Sequence, residues 1–435
     1  MDYATNLKNQ LFTIIEEMNS SPWLFTKNPT KDFSRKKKWS FSEIMKFMIS
    51  MEGKSLKDEL NEYFDYDFGT PSNSSFNQRR AQILPEAFEF LFKEFSININ
   101  NQNRTYKGYK LIACDGSDFC YSSDPSDEVS YVQTPVDIKG YNRLHLNAFY
   151  DLLNRTYIDA IIQGNRQMNE KRAMCDLVDR FMFHKKTIFI ADRGYENYNL
   201  FAHVEERGMY YLIRVRDVDR RGILGGLSLP KEKCFDTYVS YILTRKQTNE
   251  VKSDSEKYKF ISTKSTFDYL TDECKFYNLG FRIVRFPLSQ DSYECIITNL
   301  PQEEFDASEL KKLYQMRWGI ETSFRELKYA IGLTHFHAKK TEYIKQEIWA
   351  RLLLYNFCEA ITTHVVINQE VNRKYVYQVN YTRAIRICCY FLRIKKARSD
   401  IEKLIGHELL PVRPGRKDPR KVKTRSIVSF LYRVA

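Results

Sequence analysis

Tyr314, Arg317, Glu321 and Lys328 are spaced so that a helix would line all four along one edge. At about 100° per residue, Arg317, Glu321 and Lys328 fall within roughly 60° of Tyr314. A carboxylate in that setting can hold a divalent metal, and an arginine, a lysine and a phenol around it can hold phosphate oxygens. Taken alone, the four residues also fit an ordinary charged face with i,i+3 and i,i+4 pairs. Two further acids bear on the choice. Asp115 follows the apolar run 111–114 and Asp192 follows the apolar run 188–191. Each alone fits a turn, but side chains at the C-terminal ends of sheet strands also reach the crevice where α/β folds place their sites. Three carboxylates meeting there would repel one another strongly unless cations relieve them. Two hard divalent ions on such a set suit in-line phosphoryl displacement, one activating water or a 3′-hydroxyl and the other stabilising the leaving 3′-oxygen.

The elements that must position these groups follow from pattern. Residues 306–331 read as one helix, with Asp306 and Glu309 as a capping-box start and Gly332 as the stop. Leu313, Ile320, Phe324, Leu327 and Ile331 form its core-facing stripe. Upstream, residues 110–114, 143–150 and 156–163 read as strands, 168–183 as a helix, 187–191 as a strand, 198–206 as a helix and 210–215 as a strand. That alternation predicts an α/β fold with helices on the faces of a central sheet. Asp118, Asp124 and Asp127 fall in what reads as a polar surface loop after the first strand.

Residues 1–105 look helical, with a basic run at 35–38 and a break at Gly69-Thr70-Pro71. The helix after that break, with Ser74 or Ser75 as N-cap, opens with Gln78, Arg79 and Arg80. It fits the recognition helix of a helix-turn-helix, whose side chains reach bases and phosphates, and it equally fits a plain helical hairpin. Residues 217–300 read as a β-rich insertion, and 341–435 as a helical region closing in a basic tail with Arg413, Arg416, Lys417, Arg420, Lys421, Lys423 and Arg425.

A chain of 435 residues is too long for one simple core, and 43% hydrophobic residues suffice to bury several. A formal net charge of +13 points to nucleic acid or another anionic surface as partner. The nine cysteines include no CxxC pair, which argues for thiols in a reducing compartment and against a disulfide framework or a zinc ribbon. No apolar run reaches membrane-spanning length and the first residues carry no signal pattern, so the expectation is a cytoplasmic protein without membrane contact.

The order Asp115, Asp192, Glu321, the Asp192-Arg193-Gly194 step, and the Tyr314-x2-Arg317-x3-Glu321-x6-Lys328 spacing resemble the DDE transposases of bacterial insertion sequences, in particular the insertion-sequence-four family defined by a Y-R-E-K signature. The resemblance covers about residues 35–430. It implies a ribonuclease-H-like catalytic core (106–216 and 301–340) interrupted by the β-rich insertion (217–300), with a helical DNA-binding domain at 1–105 and a helical region at 341–435. It implies Asp115, Asp192 and Glu321 as catalytic metal ligands for two Mg²⁺ ions, with Mn²⁺ able to substitute. Tyr314, Arg317, Lys328, Arg193, Arg79 and Arg80 become the expected DNA contacts. The implied reaction is cut-and-paste transposition: binding of terminal inverted repeats, cleavage, and joining of 3′-hydroxyl ends to target DNA by a homodimer in a synaptic complex. Some relatives pass through a hairpin, holding a flipped base on an insertion tryptophan. Here the tryptophans are Trp23, Trp39, Trp318 and Trp349, all outside 217–300. A catalytically silent DNA-binding descendant and a structure-specific nuclease of the same core are the alternatives.

Overall fold

The computed structural model describes residues 2–35, 38–99, 104–133, 135, 140–182, 186–218, 222–225, 227–289, 292–367, 375–394 and 400–413. Of the basic tail only Arg413 falls within them, and residues 36 and 37 of the N-terminal basic run lie outside.

Five helices come first: α1 (Tyr3–Ser20), α2 (Phe41–Ser50), α3 (Leu56–Tyr63), α4 (Asn73–Arg80) and α5 (Pro85–Ile99). Ser72, rather than Ser74 or Ser75, caps α4 by accepting from the Ser75 N–H. The sheet then begins with β1 (Lys110–Tyr121), β2 (Tyr131–Val132), β3 (Tyr141–Asp151) and β4 (Thr156–Gly164). It continues through α6 (Glu170–Asp179), β5 (Thr187–Ala191), α7 (Tyr198–Glu206) and β6 (Tyr210–Val215). Next come β7 (Phe235–Thr244), α8 (Asn249–Ser253), β8 (Tyr258–Phe260), β9 (Phe276–Ser289) and β10 (Ser292–Thr298). The chain returns to helix with α9 (Ala307–Met316), α10 (Trp318–Tyr329) and α11 (Thr341–Thr362). It ends in β11 (Val376–Val379), α12 (Tyr381–Arg393), α13 (Ile401–His407) and β12 (Leu409–Val412).

Among the described residues, ten strands form one mixed sheet in the order β2-β3-β1-β5-β6-β10-β9-β7-β8, with β4 also paired to β3. At its centre β1, β5 and β6 run parallel, with Ala113 opposite Ile190 and Ile190 opposite Leu212. β3 and β4 continue outward from β1 as antiparallel neighbours. The segment 217–300 does not build a sheet of its own. Its strand β10 pairs antiparallel with β6, and β9, β7 and β8 extend the same sheet.

Alternation along the strands assigns the two faces. Ile112, Cys114, Phe189 and Ile213 pack under Met174, Leu177 and Val178 of α6 and Leu200, Phe201 and Val204 of α7. On the other face, Leu111, Ile188, Ile190 and Leu212 meet Leu310, Leu313 and Tyr314 of α9, while Ala113, Ala148 and Tyr150 join the core that holds Ile320, Phe324 and Leu327 of α10. That last core also takes in α1, α2, α5, α11 and α12, so helices from both ends of the sequence meet in space.

Candidate active site

Asp115 lies inside a strand, not at its end. β1 runs on through Tyr121 because residues 115–121 keep an antiparallel partner in β3, from Asp115 opposite Ala148 to Tyr121 opposite Asn142. The parallel pairing with β5 stops at Ala113, so a fork opens beside Asp115. Asp192 follows the last residue of β5 and caps a short 3-10 turn, accepting from the Gly194 N–H at 2.8 Å. The two aspartates therefore flank the point where β5 ends and β1 continues, Asp115 from within a strand and not, as expected, from a strand end.

The expected single helix 306–331 is two. Asp306 caps α9 and Gly332, at φ +85°, follows the end of α10 in the left-handed region that favours glycine, as the pattern predicts. Between them the ladder tightens at Arg317, where the Arg317 N–H donates to Tyr314 and the Ile320 N–H to Arg317. This i,i+3 step lets the Arg317 guanidinium bridge two elements. Nη2 donates to Glu321 Oε1 at 2.6 Å and Nη1 to Asp115 Oδ2 at 3.3 Å, while Nε–H is buried without an acceptor. Asp115 thereby meets α10, some 200 residues later in sequence.

The Asp115 carboxyl is pushed up to about 6, first by burial and then by Asp192 and Glu321, against the opposing pull of the Gly116 N–H and Arg317. Glu321 is tied to Asp115 through Arg317, and Asp192 follows the end of the strand that pairs with β1. Among the described residues, no group of three or more His, Cys, Asp or Glu side chains stands close enough to hold a metal ion as arranged. Asp115 and Glu321 instead meet through Arg317, whose guanidinium donates to both. The donors nonetheless fit a hard divalent cation, since all are carboxylate oxygens and Asp115 is repelled by the other two.

The other expected contacts divide. Arg193 is exposed beside Asp192. Lys328 is partly buried, its ammonium 5.1 Å from the Phe119 ring centre, and burial lowers its pKa against the attraction of Asp118. Tyr314 is 4% exposed and sits within the core under Arg317, so it backs the guanidinium rather than offering a surface contact. Arg79 and Arg80 also turn inward, contrary to expectation. Arg79 donates to the Trp39 carbonyl and covers the Phe33 ring; Arg80 pairs with Glu347 at 2.9 Å and donates to Gln346 and the Tyr343 carbonyl. With its donors used in this way Arg80 braces α4 against α11, while Arg79 ties α4 to the segment that leads into α2.

Two residues, His145 and Glu170, escaped the sequence reading, and a third sits in a different element from the one expected. Asp118, expected in a surface loop, is in β1 and pairs with Arg143 and with His145 of β3. His145 Nδ1 is 2.7 Å from Asp118 Oδ1, and Nε2 is 3.1 Å from Glu170 Oε1 as an ion pair without good hydrogen-bond alignment. Burial alone would lower the imidazole, yet the two carboxylates outweigh it and lift it to about 9. No spacing rule links positions 118, 145 and 170. The one available signal was Asn169 as an N-cap, which places Glu170 in the first turn of a helix.

Residues 98–357 match the family described as the transposase DDE domain. The chain belongs to the DDE transposases. Over 66 residues this transposase is 38% identical to a putative transposase InsL, for insertion sequence element IS186A of Escherichia coli (strain K12), and to the transposase for insertion sequence element IS421 of Escherichia coli. The matched stretch spans 15% of this chain and only 18% of the length of those relatives. A cryo-EM structure of the piggyBac transposase synaptic complex with hairpin DNA aligns with a TM-score of 0.45 at 10% identity, over 95% of this chain and 87% of that one. No helix among the described residues is long and apolar enough to cross a membrane.

Proposed function

We propose that this transposase binds the terminal inverted repeats of its own insertion sequence, cuts the DNA there and joins the 3′-hydroxyl ends to target DNA, with Asp115, Asp192 and Glu321 holding two divalent cations, Mg²⁺ or Mn²⁺. The observation that carries this reading is the Arg317 bridge, which brings Glu321 to Asp115 at the fork beside Asp192. When bound, the cations supply Lewis acidity for in-line displacement at phosphorus.

The residues of the chain itself do the rest. The three carboxylates gather the positive charge, and Asp115, at about 6, is mostly ionised at neutral pH and ready to do so. Arg317, backed by Tyr314, keeps Asp115 and Glu321 in register and adds a cation where phosphates arrive. Arg193 and Lys328 extend that positive charge on either side for the strand's backbone. The order β4-β3-β1-β5-β6, an antiparallel hairpin beside three parallel strands, supports reading 106–216 and 301–340 as a ribonuclease-H-like core. Strands β7–β10 would then extend that core's sheet toward the DNA end, with residues 1–105 and 341–435 adding DNA contacts and a homodimer holding two ends together. Trp318, 57% exposed at the start of α10, is the aromatic available beside Arg317 for a distorted base.

Glu321→Gln tests the reading. With Mg²⁺ and DNA carrying the element's ends, the variant should bind the ends in a gel-shift assay and release no 3′-hydroxyl product. Cleavage that survives the substitution would overturn it.

A further inference from the structure

The crevice has one more carboxylate, arriving from the face of the sheet opposite Arg317. Along β1, Asp115 faces α10, whereas Gly116 and Asp118 face α6, where Glu170 forms the first turn. The glycines that follow the two aspartates show where the Glu170 carboxylate points. A Cβ on Gly116 would collide with His145 Nε2 and stand 3.0 Å from Glu170 Oε1; a Cβ on Gly194 would stand 3.9 Å from Glu170 Oε2. One carboxylate thus spans from the neighbour of Asp115 to the turn that Asp192 caps.

His145 holds that carboxylate. Its side chain is only 6% exposed, with one nitrogen on Asp118 and the other on Glu170. An imidazole in such a place could be replaced by an apolar side chain at little cost to packing, so its two acid partners call for another account. The absent side chain at Gly116 is what lets it reach Glu170.

We propose that His145, braced by Asp118, is a positioning residue that holds Glu170 as a fourth acid of the crevice, strengthening the grip of Asp115 and Asp192 on a divalent cation. This rests on the proposed cation-binding role of those aspartates. Partners that orient metal-binding groups typically change affinity by about 10- to 100-fold when removed.

The test is Mn²⁺ binding to the 435-residue chain without DNA, read from the paramagnetic resonance signal of the free ion. Glu170→Gln, nearly isosteric and partly exposed, should weaken binding about tenfold. His145→Ala should weaken it similarly, and the double variant should bind no worse than Glu170→Gln alone, because one residue acts through the other. Unchanged binding in Glu170→Gln, alongside loss in Asp115→Asn, would overturn this inference and leave the proposed function standing. Further weakening by His145→Ala in the Glu170→Gln background would reduce His145 to a packing role and overturn its positioning. Wild-type affinity in Asp115→Asn would instead overturn the underlying reading of the site.

Discussion

Asp115→Asn should disarm the site and stabilise the metal-free fold. The Asp115 carboxyl is raised from 3.8 to about 6 with burial as the leading cause, and its side chain is 23% exposed. That rise corresponds to about 3 kcal/mol against the ionised form in the folded chain. The folded state binds this proton more tightly than the unfolded state does. Stability is therefore undiminished well below pH 3.8, falls as pH rises through 3.8 to about 6, and stays reduced above that. Asparagine still accepts from the Gly116 N–H and carries no charge at any pH. The variant should match wild type at about pH 3.5, pull ahead through the intervening range, and lead by up to about 3 kcal/mol at about pH 8. Loss of one of the two carboxylate partners of Arg317 trims that lead, while Glu321 remains paired with it. Urea-unfolding midpoints across that pH range in chelator measure the difference, and added Mg²⁺ should raise the midpoint of wild type alone. A variant no more stable than wild type at about pH 8, or a lead that does not change with pH, would refute the argument that charge is held there at a cost.

Arg80→Met should lower the free energy of unfolding by about 3–5 kcal/mol, because Glu347, held at about 2 chiefly by Arg80 against complete burial, loses that partner. The end-binding affinity of the folded protein should be unchanged, which a gel shift checks and which separates a brace from a DNA contact. Trp318→Ala removes an exposed ring and should leave stability within about 0.5 kcal/mol. If the indole stacks on a base, the same change should weaken binding to end DNA with an unpaired terminal base by about 1–3 kcal/mol, as read by fluorescence anisotropy.

The order of the acids was legible because each sits next to a strong local signal. Asp115 and Asp192 follow apolar runs, and Glu321 lies in a segment with a readable cap and stop. Strand β6 and helix α7 follow their patterns residue for residue, since both are bounded by polar or glycine breaks. Local pattern failed where distant partners decide. β1 continues past Asp115-Gly116-Ser117 only because β3 hydrogen-bonds it, and no window around residue 115 contains β3. Arg79 and Arg80 look like surface cations until the Trp39 carbonyl and α11 take up their donors. The break at Arg317 is invisible to a 100° count, because an αR residue with an i,i+3 bond keeps helical dihedrals. Glu170 and His145 come together from separate elements through a glycine, and a missing side chain leaves no pattern to read.

The order of strands in the sheet also sets a timetable during synthesis. β6 ends at Val215, but its second neighbour, β10, is complete only at Thr298. Translation at about 5–20 residues per second leaves β6 with a bare edge for roughly 4–16 s, a template for pairing with another nascent chain. Throughout that interval Asp115 and Asp192 already exist without Glu321 or Arg317. A copy whose gene is interrupted between those positions would therefore make a sheet with an open side, prone to associate, and carry two of the three acids proposed for the site.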